Sequence, residues 1–142
     1  MASSIRFDDV KVDDEIPSLS KVVKREDVKA YADASGDQNP LHQDDSFAQS
    51  VGFPGIIAHG MFTMAHLATC VTTWLGDPEA LRSIKVQFRA VVFMNETIEA
   101  GGTIKELVPE TKRADLELWV RLERDGQTLY PIKNGTAQVH LA

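Results

Sequence analysis

The chain has 142 residues, with 15 Lys+Arg against 21 Asp+Glu and a formal net charge of −6. That is one domain's worth of chain, residues 1–142, and its acidity argues against a nucleic-acid partner, because a phosphate backbone demands clustered cations. A single cysteine, Cys70, excludes an internal disulfide and a thiolate zinc site.

The opening residues lack the apolar run of a signal peptide. The longest apolar stretch, Ile56 to Leu75, is interrupted by His59, Gly60, His66 and several threonines, so no membrane span is expected. With the lone thiol, this points to a cytoplasmic protein. Most of the acidic excess lies in the first 60 residues and reads as a solvated surface.

Glu15 to Val23 reads as a short strand. Lys24 to Ala34 reads as a helix, with Val28, Tyr31 and Ala32 on one face and Gly36 as its stop. Ser35 to His42 is a loop, since Pro40 forbids a regular helix through Asn39. Asp44 to Ser50 predicts a short helix capped by Asp44, and Val51 to Ile57 a second loop. His59 to Leu75 is the strongest helix. Its apolar residues run nearly all the way round, so burial on most faces is expected, and Gly76-Asp77-Pro78 ends it.

The period then changes to two. Ile84, Val86, Phe88 and Ala90 alternate with polar residues, and Thr97 to Leu107 is a second strand, expected to kink at Gly101-Gly102. Leu116 to Leu122 alternates again, and Asp125-Gly126 predicts a hairpin turn into Gln127 to Leu141. An antiparallel meander beside one nearly enclosed helix implies an α+β fold in which a curved sheet wraps that helix.

Two short segments carry candidate chemistry. Asp37 and His42 flank a loop stiffened by Gly36, Asn39 and Pro40, and can converge on one water. Imidazole titrates near neutrality, so it can both take and give a proton. The same residues also suit a capped turn with an ordinary loop histidine. Gly60 opens the long helix, where unpaired N–H groups and the helix dipole favour an oxyanion. A glycine there also suits a crowded helix entry. His59 and His66 read as hydrogen-bonded core histidines. Arg82, Lys85 and Arg89 fit either an anionic partner or a solvated strand face. No ligand spacing supports a metal site.

Together, Tyr31-Ala32-Asp33-Ala34-Ser35-Gly36-Asp37-Gln38-Asn39-Pro40-Leu41-His42 and Ala58-His59-Gly60-Met61 resemble the signature of the MaoC-like hydratases. These are the (R)-specific enoyl-CoA hydratases and (3R)-hydroxyacyl dehydratases, and the resemblance spans essentially the whole chain. It implies the hot-dog fold, with an antiparallel sheet wrapped round one long central helix. It also implies reversible hydration of trans-2-enoyl thioesters of CoA or acyl carrier protein in fatty-acid metabolism, without a cofactor or metal. Asp37 and His42 would be the acid/base pair, the Gly60 N–H the oxyanion donor, and Asn39 the brace of the loop. A homodimer, or a heterodimer with another hot-dog subunit, is implied. One departure stands out: a serine carried by several relatives on the central helix falls at Ala68 here, beside Thr69.

Two rival readings fit the sequence less well. Hot-dog thioesterases commonly place a carboxylate on the central helix, and none lies between Gly60 and Gly76. A non-catalytic subunit that supplies only an acyl-binding surface would have no need of both Asp37 and His42.

Overall fold

The computed structural model describes residues 3–142. In chain order the elements are β1 (Leu19–Val22), α1 (Arg25–Ser35), α2 (Asp45–Ser50), α3 (Gly60–Leu75), β2 (Leu81–Lys85), β3 (Thr97–Val108), β4 (Arg113–Arg124) and β5 (Gln127–His140). Short 3₁₀ turns lie at Phe7–Asp9, Pro40–His42 and Pro78–Ala80. The strands form one antiparallel sheet in the order β1-β3-β4-β5-β2.

The predicted meander is β3, β4 and β5. At its second hairpin Asp125 and Gly126 both take positive φ, 53° and 76°, the turn geometry that matches the twist of paired strands. Leu116, Leu118, Val120 and Leu122 all point inward, with Ile98 and Ala100 of β3 and Ile132, Ala137 and Val139 of β5. Leu67, Cys70, Val71 and Leu75 of α3 pack into this face. The register slips twice between β4 and β5, once between Leu118 and Val120 and again between Val120 and Leu122. Such bulges bend a strand and add twist, so the sheet curls round α3. Asn134, at φ 58°, and Pro131, which has no N–H, lie in the two bulged stretches.

The structure corrects several boundaries. β1 is shorter than expected, because Pro17 cannot donate to a ladder; Glu15 keeps only a lone bridge to Thr103. The strand expected over Ile84 to Ala90 is instead Leu81–Lys85. Past the Lys85–Thr136 pair the chain leaves the ladder beside the β5 bulge at Asn134, and the bridge Phe88↔Ile132 remains. The Gly101-Gly102 pair is no kink, since pairing runs through it and the register shifts between Ile104 and Glu106. Those glycines make room: a Cβ on Gly101 would strike the Trp119 indole, and one on Gly102 would lie 2.8 Å from the Glu117 carbonyl oxygen.

The largest correction concerns α3. Phe62, Thr63, His66, Leu67, Cys70, Val71 and Leu75 are buried, but Met61, Ala65, Thr69 and Thr73 are exposed. The sheet covers one side of the helix only. No helix among the described residues is long and apolar enough to cross a membrane.

Two polar groups on the sheet-facing side of α3, Cys70 and His66, have backbone partners. Cys70 Sγ lies near the carbonyls of Pro17 and Ala100, and burial pushes its thiol up to about 11, so it is an inert core residue. His66 holds edge strand β1 from the helix side. A carbonyl only accepts, so the 2.8 Å contact to the Leu19 carbonyl puts the hydrogen on Nε2. Burial lowers the pKa of His66 below its ordinary 6.5, against the Leu19 carbonyl, which raises it, and with a further lowering from Lys21. A depressed histidine binds protons more readily when unfolded, so stability rises with pH in this window. The His66 contribution is complete above the unfolded value. It declines as pH falls below about 6.5 and is lost below the folded value. Denaturant unfolding at pH 7.5 and 5.5 is expected to show this loss, and His66→Gln, which keeps an N–H for Leu19, should remove that component. An unchanged pH slope in His66→Gln would refute the assignment.

Candidate active site

α1 ends where the sequence predicts. Gly36 takes φ 79° and returns its N–H to the Ala32 carbonyl. The loop beyond it is tied by side chains that mimic turns. Asp37 N–H donates to Ser35 Oγ at 3.2 Å, and Asp37 Oδ1 accepts from Asn39 N–H at 3.3 Å. Asn39 Oδ1 accepts from Leu41 N–H at 3.0 Å and so caps the Pro40–His42 turn, with Pro40 at its first position. Gln38 Nε2 reaches back to the Ala32 carbonyl and to Asp33, and the Gln38 amide together with Lys29 lowers the pKa of Asp33. Asn39 therefore sits where a loop brace must be.

The second loop is pinned to the first helix. Asp44 caps α2 by accepting from Ser46 and Phe47 N–H. Asp45 accepts from Ile56 N–H at 2.9 Å and from Arg25 at 2.9 Å; these partners, the Ile56 N–H foremost, hold its carboxyl below the usual range. Ile57 N–H donates to the Leu41 carbonyl, and Ala58 N–H to that of Val92. These bonds bring Asp37, His42, His59 and Gly60 to one place.

There the geometry is specific. His42 is half-buried, and its Nδ1 lies 2.7 Å from the Ile57 carbonyl. That bond puts a hydrogen on Nδ1, so in the neutral ring Nε2 carries the lone pair. Asp37 is exposed, and one side-chain N or O atom of each of Asp37, His42 and His59 lies within 4.8 Å of the others. His59 is the N-cap residue of α3 and is 2 % exposed. Its ring stacks on His42 with centroids 3.8 Å apart and 26° between planes, and Tyr31 meets it edge-on at 5.0 Å.

Gly60 is the first residue of α3, and its N–H finds no acceptor among the described residues. A cavity of about 190 Å³ opens beside it, lined by His42, Gly60 and Thr63 together with apolar groups of Ile57, Ala58, Phe88, Val92 and Pro131. A Cβ on Gly60 would lie 2.9 Å from the Phe88 ring. Both readings of this glycine, helix entry and close approach, therefore have a physical basis.

The three clustered side chains do not fit a metal ion. His42 Nδ1 and His59 Nε2 are each committed to a carbonyl. Lone pairs lie in the ring planes, and stacked rings send theirs along near-parallel planes instead of toward a common point.

Some expected participants lie elsewhere. Lys85 lines a groove with Lys105 and Asp115, away from His42. Arg82 and Arg89 are exposed and line neither cavity beside His42. Instead Arg25 and Lys29 of α1 line a second cavity of about 250 Å³ that His42 also borders. Their i, i+4 spacing was the available signal. Ala68 offers no hydroxyl, and that of Thr69 is bonded to the Ala65 carbonyl of its own helix. A wider concavity, about 740 Å³, lies over Glu99, Arg121 and Tyr130 on the sheet and contains none of these residues.

Comparison with known proteins finds relatives over most of the chain. A 3-hydroxybutyryl-CoA dehydratase of Methylorubrum extorquens is 34% identical over 115 residues, 78% of this chain and 70% of its own length. An (R)-specific enoyl-CoA hydratase of Rhodospirillum rubrum is 34% identical over 107 residues, 75% of this chain and 74% of its own. A solved structure described as a MaoC-like dehydratase superposes on 99% of this chain with a TM-score of 0.86 and 34% identity, although the chain spans only 44% of that longer protein. The sheet wrapped on one long helix is thus the hot-dog fold. The family model described as "MaoC like domain" matches residues 8–119, and the chain belongs to that family.

Proposed function

We propose that this chain is a hydro-lyase that adds water to trans-2-enoyl thioesters and removes it from (3R)-3-hydroxyacyl thioesters. One observation carries the reading. His42 and Gly60, whose N–H is free, line one apolar cavity, and a carboxylate oxygen of Asp37 lies within 4.8 Å of a His42 ring nitrogen, which together supply what addition of water beside a thioester requires. The Asp37 carboxylate orients a water. His42 Nε2 takes a proton from it as its oxygen bonds to C3. The π electrons move to the thioester oxygen, where the Gly60 N–H meets the growing negative charge; one such donor contributes about 3 kcal/mol. The proton then returns to C2 as the carbonyl re-forms, so no cofactor is consumed. Asn39 keeps the loop in shape throughout.

CoA is the proposed carrier, because both curated relatives above are named for CoA thioesters. Assembly with a second copy or another hot-dog chain belongs to the same reading. β2 leaves a bare sheet edge, and exposed Phe47, Val51, Met61 and Phe88 leave apolar surface beside the site. The lone buried thiol suits the cytoplasm.

The alternative is a silent subunit that only supplies acyl-binding surface. Purified chain, sized in its native state and assayed by loss of the enoyl-thioester absorbance of crotonyl-CoA, separates the two. The expected result is a dimer that turns over alone, with the acyl-carrier-protein thioester as a second substrate arm. A monomer with full activity would refute the assembly. A dimer without turnover on either thioester would favour the silent subunit.

A further inference from the structure

We propose that His59 is a positioning residue that sets the place of Asp37 relative to the His42 ring. This rests on the hydratase reading above and adds to it a residue that reaction does not otherwise require.

The argument starts from what holds Asp37. Its backbone N–H bonds to Ser35 and its carboxylate to Asn39 N–H, both two residues away. Bonds that short shape the turn but do not locate it in the fold. Among the described residues, one long-range hydrogen bond reaches Asp37: His59 Nε2 to the Asp37 carbonyl, at 3.0 Å. A carbonyl only accepts, so Nε2 carries the hydrogen. His59 Nδ1 is buried and has no partner. A buried polar atom left unpaired asks for an explanation. Here it is that the ring is oriented for Asp37 and His42 and not for its own second nitrogen.

The other partner is held by the same ring. The Ile57 carbonyl fixes one atom of His42, and the stack on His59 fixes the plane of its ring. His59 does not drift, because Tyr31 packs edge-on against it and Tyr31 in turn meets Phe62 of α3 at 5.9 Å. His59 is also the residue before Gly60. One side chain thus ties the carboxylate, the imidazole and the helix start into a single unit.

Two substitutions divide its work. His59→Gln keeps an N–H for the Asp37 carbonyl and removes the ring. His59→Phe keeps the ring and removes the donor. Each is expected to lower kcat by about 10–100-fold, the scale of a small misplacement of reacting groups, while KM stays within about threefold. Unchanged kcat in both variants, or a rise in KM with kcat intact, would overturn the proposal; the latter would mean that His59 binds substrate. A second readout needs no turnover and so survives failure of the hydratase reading. Amide hydrogen exchange over residues 37–43 of the folded protein should quicken at least about tenfold in His59→Phe and less in His59→Gln. Exchange at the wild-type rate in His59→Phe would overturn the proposal whatever the reaction.

Discussion

Asp37→Asn and His42→Ala are each expected to slow hydration of crotonyl-CoA by about 10²–10⁴-fold, the usual worth of one acid/base side chain. Asn at 37 keeps an oxygen for the Asn39 N–H, so the turn survives while the negative charge on the water is lost. Ala at 42 removes the Nε2 lone pair and frees the Ile57 carbonyl of its 2.7 Å partner. Thermal unfolding on both variants separates a chemical loss from a structural one. Near wild-type turnover in either variant would remove that residue from the mechanism.

Gly60→Val is the second large effect, with turnover expected to fall by about 10²–10³-fold, the scale of a lost oxyanion donor. A side chain there enters the space between α3 and the Phe88 ring, in the wall of the cavity that the thioester must reach. Phe88 is 49 % exposed and can swing outward, so stability should fall less than activity. The crowding offers a second reason for glycine, and the double variant Gly60→Val/Phe88→Ala decides between them. If the glycine serves only to admit the ring, the double variant recovers the turnover of Phe88→Ala alone. If the thioester oxygen approaches Gly60, it stays as slow as Gly60→Val.

Much of this was legible in the sequence because it is local. The alternation at Leu116 to Leu122, the Asp125-Gly126 turn, the Asp44 cap and the Gly36 stop each depend on a few adjacent residues, and each formed as expected. The Asn39–Pro40 turn also formed, and it leaves Asp37 and His42 side-chain atoms within 4.8 Å of each other. What was not legible depends on distant partners. Periodicity reports that α3 is apolar on most faces but not what covers them, and this chain's own sheet leaves Met61 and Ala65 open. The exit of the chain from the ladder before Phe88 coincides with a bulge at Asn134, more than forty residues away. His59 is the hydrogen-bonded core histidine that the sequence suggests, but that its partners are Asp37 and the His42 ring is visible only in three dimensions.

The sheet order also has a kinetic consequence. Arg124 pairs with Gln127 across a tight turn, whereas Leu19 pairs with Ala100 and Leu81 with Val139. Closing long loops costs entropy before any contact repays it, so β3, β4 and β5 are the natural nucleus and the two edge strands dock late. Everything that carries the chemistry, from α1 through the Asp37 loop to α3, is the stretch of chain strung between those edges. The Asp37 loop thus hangs from a late-docking edge strand through α1, and loss of activity should precede loss of the meander as the protein is destabilised.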